Sequence, residues 1–148
     1  MPQPRLVLLF DGTCGPCTRL AGWVRRHDSI GRILVQPNQL PGVLAAHGLT
    51  RAEVDRSVWA IEPGGRRLAG AAALNRVLEE LGGGWRMLAQ PSRLPLLAKA
   101  EEAAYRWLAA NRERLAWLGV MPECERPGAA CLDWVPRSHR RGSDFGQD

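Results

Sequence analysis

Five consecutive apolar residues, Leu6 to Phe10, stand near the start of the chain. A run that is apolar at every position belongs in a sheet covered on both faces, the setting of a central parallel strand. With Arg5 leading in, the strand is expected over Arg5 to Phe10. Asp11, Gly12 and Thr13 break the run. A helical pattern then begins: Cys17, Leu20, Ala21 and Val24 fall at i, i+3, i+4 and i+7, one face of a helix. Pro16 suits the first turn, where a missing N–H costs nothing. Arg25, Arg26 and His27 suit its C-terminal end, where positive charge is favoured. Gly31 closes the unit, and Arg32 to Gln36 reads as a second strand around Ile33, Leu34 and Val35. Strand, helix and strand in this length predict a βαβ unit with a right-handed crossover.

The remaining elements follow from turn and cap chemistry. Pro37 to Gly48 is expected to be a loop with one helical turn. Thr50-Arg51-Ala52-Glu53 has the form of a capping box and starts a short helix. Val58 to Ile61 is a third strand. Glu62-Pro63-Gly64-Gly65 is a turn, and Arg66 to Leu68 returns as a fourth strand in an antiparallel hairpin. Gly70 precedes a helix over Ala71 to Leu81, with Leu74, Val77, Leu78 and Leu81 on one side, ended by Gly82-Gly83-Gly84. Trp85 to Gln90 forms another helical turn, and Pro91 to Pro95 is a break. Leu96 to about Leu118 reads as one long helix carrying Leu97, Ala104, Leu108, Leu115 and Leu118. Few periodic apolar residues follow Gly119, and disorder is expected from Arg137. The order is that of an α/β, thioredoxin-like fold, a β-α-β unit followed by β-β-α, with additional C-terminal helices. At 148 residues the chain suits one domain, expected over 1–136 with a tail over 137–148, and it needs no disulfide staples to bury a core.

Charge and cysteine count narrow the function. The formal charge is +5, much of it within Arg137 to Arg141. That is not the dense basic stripe of a nucleic-acid binder, and the six Trp are scattered rather than interleaved with basic residues. Leu6 to Phe10 is too short for a secretory leader, and no stretch approaches a membrane span, so a cytoplasmic protein with no membrane partner is expected. In a reducing compartment a close cysteine pair is more often catalytic or metal-binding than structural.

That pair is Cys14 and Cys17, within Asp11-Gly12-Thr13-Cys14-Gly15-Pro16-Cys17, between the first strand and first helix. Two cysteines separated by two residues at a helix start can close a disulfide. Cys14 would lie near unsatisfied N–H groups and the positive end of the helix dipole, both of which favour the nucleophilic thiolate. Cys17, one turn in and facing the core, would attack a mixed disulfide and release product. Gly15 and Pro16 are expected to leave the first sulfur accessible. Against this stand an inert pair of small buried hydrophobes and half of a zinc site, but the strand–helix context favours redox chemistry.

These residues resemble the DCC family of thiol–disulfide oxidoreductases, named for this Asp and Cys pair. Tyr105 to Arg112, with Ala109, Asn111 and Arg112, is similar to that family's C-terminal helix, as is Gly70 followed by Ala72. The resemblance covers roughly residues 5 to 131. Cys14-Gly15-Pro16-Cys17 is also identical to the thioredoxin tetrapeptide. The resemblance implies that Cys14 attacks, Cys17 resolves and Asp11 is the third motif residue. It implies protein or small-molecule disulfide and thiol substrates, a reducing or oxidising thiol partner, and no bound cofactor or metal. Asp11 has two readings: it accepts a proton from Cys17, or it bonds backbone N–H groups at the helix start and fixes the loop. The second is preferred.

Other features weigh less. Thioredoxins carry a proline just before the third strand. Here Asp55-Arg56-Ser57 has none, and Ser57 is expected to line the site instead. Cys124 and Cys131 are expected to be two free thiols. A second disulfide, zinc binding or shuttling with the first pair are the alternatives. His27, His47 and His139 are expected at the surface or helix ends, and Trp59, Trp107 and Trp117 in the core. Phe10-Asp11-Gly12-Thr13 overlaps a phosphatase motif, but Leu9 stands where the nucleophilic Asp would be. The competing class is a non-catalytic thioredoxin-like binding module, with the cysteines incidental or zinc-bound.

Overall fold

The computed structural model describes residues 6–129 and 131. The apolar run forms β1 (Leu6–Phe10), an inner strand of a four-stranded sheet. It pairs in parallel with β2 (Ile33–Pro37), from Leu6 opposite Ile33 to Phe10 opposite Pro37. On its other edge it pairs antiparallel with β3 (Trp59–Ile61), Leu9 opposite Trp59 and Val7 opposite Ile61. The outer strand β4 (Arg67–Ala69) completes the hairpin, giving the order β2-β1-β3-β4. This is the sheet of a thioredoxin-like fold.

Strand alternation explains why β1 is apolar throughout. Leu6, Leu8 and Phe10 face a cluster with Ala21 and Val24 of α1 (Gly15–His27) and Ala73 and Val77 of α4 (Ala71–Leu81). Leu9 faces the opposite side, with Val43 of α2 (Val43–His47), Leu49, Val54 of α3 (Arg51–Arg56) and Ile61. Burying each such side chain is worth about 1.5–3 kcal/mol, so both layers hold the strand in register.

Local chemistry sets the helix ends. Cys14 caps α1, and Arg25, Arg26 and His27 fill its last turn. Asp28 then accepts from the N–H groups of Arg32 (3.0 Å) and Ile33 (2.8 Å), fastening the helix end to β2. The Thr50–Glu53 capping box forms as expected, with reciprocal bonds between side chains and backbone. Gly70 opens α4 at φ +64°, and a Cβ there would fall 2.9 Å from a carboxylate oxygen of Glu102. That carboxylate accepts from the Ala71 N–H.

Two expectations fail towards the C-terminus. After α5 (Gly83–Ala89) and a 3-10 turn at Gln90–Arg93, the long helix is α6 (Pro95–Ala110) only. Asn111 stops it: its side-chain amide donates back to the Trp107 carbonyl at 2.8 Å, and turns lead to a 3-10 segment at Ala116–Leu118. Nor are all three tryptophans core. Trp59 is partly buried against the second cluster, but Trp107 is 62% exposed and Trp117 78%. Helix α6 has no buried residue, so its apolar positions lie on the surface rather than inside. No helix among the described residues is long and apolar enough to cross a membrane. The expected tail over 137–148, and His139, lie outside the described residues.

Candidate thiol–disulfide site

The end of β1 and the start of α1 bring Asp11, Cys14 and Cys17 together, the first two in the connecting loop and Cys17 in the first turn of the helix. The Cys14 N–H donates to the Asp11 carbonyl at 3.1 Å, closing a tight turn. Cys14 and Cys17 have their sulfurs at bonding distance, with Cα atoms 5.2 Å apart. The Cys17 N–H points at the Cys14 sulfur (3.3 Å), a donor that stabilises negative charge there once the pair is reduced.

Asp11 is buried at the back of this loop. One carboxylate oxygen accepts from the Thr13 N–H (2.9 Å), the Thr13 hydroxyl (2.6 Å) and the Gln39 amide (2.8 Å). The other pairs with the Arg112 guanidinium at 3.1 Å. Burial alone would raise its pKa. The Thr13 and Gln39 donors, with Arg112, outweigh burial and hold the carboxyl below the usual range. Gln39 also accepts from the Gly12 N–H at 2.9 Å, so one amide ties carboxylate and loop together.

Beside Cys17 lies an apolar cavity of about 270 Å³. Phe10, Cys17, Leu20, Val58 and Leu108 supply much of its wall, and Asp11, Ser57 and Arg112 its polar edge. Ser57 thus lines the site, as expected. The loop before β3 is held by Tyr105 of α6, whose hydroxyl accepts from the Val58 N–H at 2.8 Å. Burial raises the Tyr105 pKa. A larger cleft of about 410 Å³ shares no lining residue with this cavity. In its lining Arg76 pairs with Glu62 (2.7 Å), and also with Glu80 one turn along its own helix (2.9 Å).

The segment after Gly119 is a strap across the cysteine loop, which the sequence pattern did not reveal. Val120 N–H donates to the Gly15 carbonyl (3.4 Å), Glu123 N–H to the Thr18 hydroxyl (3.1 Å) and Cys124 N–H to the Gly12 carbonyl (2.9 Å). Arg19 holds the Leu118 carbonyl at 2.8 Å, and Arg25 pairs with Glu123 at 3.1 Å. Strap and loop run antiparallel, so the strap passes over Cys14. That corrects the expectation of an accessible first sulfur: Cys14 is only 8% exposed. Gly15 and Thr18 bond the strap, Cys17 and Leu20 line the cavity, and Pro16 lies between the two, lining the cavity and packing close to Gly119.

The strap also corrects the expectation for Cys124 and Cys131. They are not free thiols but a second disulfide, with Cα atoms 5.5 Å apart, both buried. Their spacing was visible, but the surface they pack on is set by distant residues. Among the described residues no group of His, Cys, Asp or Glu is arranged to hold a metal ion. His27 sits at the end of α1, its ring against Trp23 and Trp85, and His47 ends α2.

A thioredoxin-like sheet with a Cys-x-x-Cys pair closing the first turn of its first helix defines the class of thiol–disulfide oxidoreductases. Within that class, the model of the DCC1-like thiol-disulfide oxidoreductase family matches residues 8–118, and the chain belongs to that family. The match ends short of the strap cysteines. No curated protein and no solved structure matches the chain.

Proposed function

We propose that the protein catalyses dithiol–disulfide exchange at Cys14 and Cys17. The observation that carries this reading is the pairing of the two sulfurs at the N-terminus of α1, beside an apolar cavity that Cys17 lines. In the reducing direction, the Cys14 thiolate attacks one sulfur of a substrate disulfide. The leaving thiolate takes a proton, and a mixed disulfide remains. The Cys17 thiolate then attacks the Cys14 sulfur, releasing the second substrate thiol and closing Cys14–Cys17. The reverse sequence oxidises a dithiol. Asp11 acts as a positioning residue: its hydrogen bonds to Thr13 and Gln39 hold the loop.

The cavity suits a disulfide or thiol with an apolar group next to its sulfur, such as a cysteine in an apolar peptide segment. Such a substrate reaches the pair from the cavity that Cys17 lines.

The test is redox equilibration in glutathione buffers, with alkylation trapping and peptide mass, alongside turnover of a generic disulfide. The expected result is a reversible two-electron transition of Cys14–Cys17, turnover abolished by Cys14→Ser, and a trapped mixed disulfide in Cys17→Ser. A reduced protein inert towards every disulfide would overturn the proposal and leave the binding module.

A further inference from the structure

We propose that Cys124–Cys131 is a second redox centre that exchanges electrons with Cys14–Cys17 inside the chain. The proposal rests on the reading of Cys14–Cys17 as an exchanging pair, and the strap cysteines lie beyond the family match.

Three observations carry it. The strap crosses the cysteine loop, bonded to Gly12 on one side of Cys14 and to Gly15 on the other. The Cys124 sulfur packs on Gly12, two residues from Cys14, so closely that a Cβ on Gly12 would come within 2.5 Å of it. The same sulfur lies 3.6 Å from the Gln39 carbonyl oxygen, and Gln39 bridges to Gly12 and Asp11. Cys14 and both strap cysteines are therefore buried against one hydrogen-bonded loop, with Cys17 partly buried beside it. A chain of this size does not need a disulfide staple to bury a core.

The step balances within the chain. With Cys14–Cys17 oxidised and the strap reduced, the Cys124 thiolate attacks the Cys14 sulfur. The Cys14–Cys17 bond breaks, a Cys14–Cys124 bond forms, and Cys17 leaves as a thiolate. The Cys131 thiolate then attacks the Cys124 sulfur, forming Cys124–Cys131 and releasing Cys14. Two electrons pass from one pair to the other, and the two thiol protons follow. Exchange of this kind proceeds through such a mixed disulfide. The product re-arms Cys14 and Cys17 for a second substrate disulfide.

Two experiments on the full chain test it. In the first, fully reduced unmodified protein meets excess substrate disulfide, and released thiol is counted. Two disulfides reduced per chain are expected, against one in Cys124→Ser/Cys131→Ser. In Cys14→Ser/Cys17→Ser the strap pair is expected to be inert to the same substrate. In the second, Cys17→Ser/Cys131→Ser retains only Cys14 and Cys124 and is oxidised at low protein concentration. Peptide mass should show an intramolecular Cys14–Cys124 disulfide. One substrate disulfide per unmodified chain, or no Cys14–Cys124 link, would overturn the relay. Direct reaction of the strap pair in the Cys14→Ser/Cys17→Ser variant would overturn it too. If Cys14–Cys17 proved inert to external disulfides, the proposed function would fail, and the intramolecular link would still report on the relay separately.

Discussion

Asp11 shows how much of this site rests on a single side chain. Its carboxylate meets Thr13, Gln39 and Arg112, and these donors hold its pKa below the ordinary 3.8. A depressed carboxyl contributes stability that is full above its unfolded pKa and is lost as pH falls through the folded value. Asp11→Asn removes the charge facing Arg112 and is expected to cost about 3 kcal/mol near neutral pH. In urea titrations the gap to the unmodified protein should narrow below about pH 4. If Asp11 only positions the loop, thiol titration of Cys14 and Cys17 in this variant will show no loss of a proton acceptor. Cavity filling belongs to the same scale. Ala109→Trp should lower kcat/KM for disulfides with apolar neighbours more than for hydrophilic ones; equal losses would refute the cavity as the substrate's seat. Cys14, Cys17 and Asp11 were legible in the sequence because their spacing is local and their flanks announce a strand end and a helix start. Gln39 was not, because only the fold brings it to Asp11. Arg112 stood out through family resemblance, without a role.

The elements divide in the same way. Each element with a strong local signal formed where expected, the capping box at Thr50 and the helix from Ala71 to Leu81 among them. The long C-terminal helix was overread, because Leu108, Leu115 and Leu118 keep an apolar rhythm that Asn111 interrupts by bonding its own backbone. The strap was missed because its order comes from hydrogen bonds to Gly12, Gly15 and Thr18, not from periodic burial. Its close approach to α1 makes a prediction. A Cβ on Gly119 would press on the Gly15 carbonyl carbon and come within 2.5 Å of the Pro16 nitrogen. Overpacking of this kind costs about 1–3 kcal/mol. Gly119→Ala should therefore loosen the strap and speed alkylation of reduced Cys14 by roughly ten- to hundredfold, since about 1.4 kcal/mol is tenfold. An unchanged rate would mean that the strap does not shield Cys14.

Across the whole molecule, the sheet order follows from β1 being apolar on both faces: it must be flanked on two edges and covered on two sides. The second disulfide closes a short loop, its cysteines lying seven positions apart in the sequence. Chain entropy assigns such a loop about 2.5 kcal/mol. Cys124→Ser/Cys131→Ser should lower the unfolding free energy in denaturant by about that amount; no change would mean the strap holds without its bond. The strap also bears on how the chain is made. Cys14 leaves the ribosome long before Cys124, and at about 5–20 residues per second the delay is roughly 5–20 s. Throughout that interval the growing chain presents its cysteine pair without the strap that will shield it. Oxidants and other nascent thiols can therefore reach Cys14 during synthesis far more readily than in the finished protein.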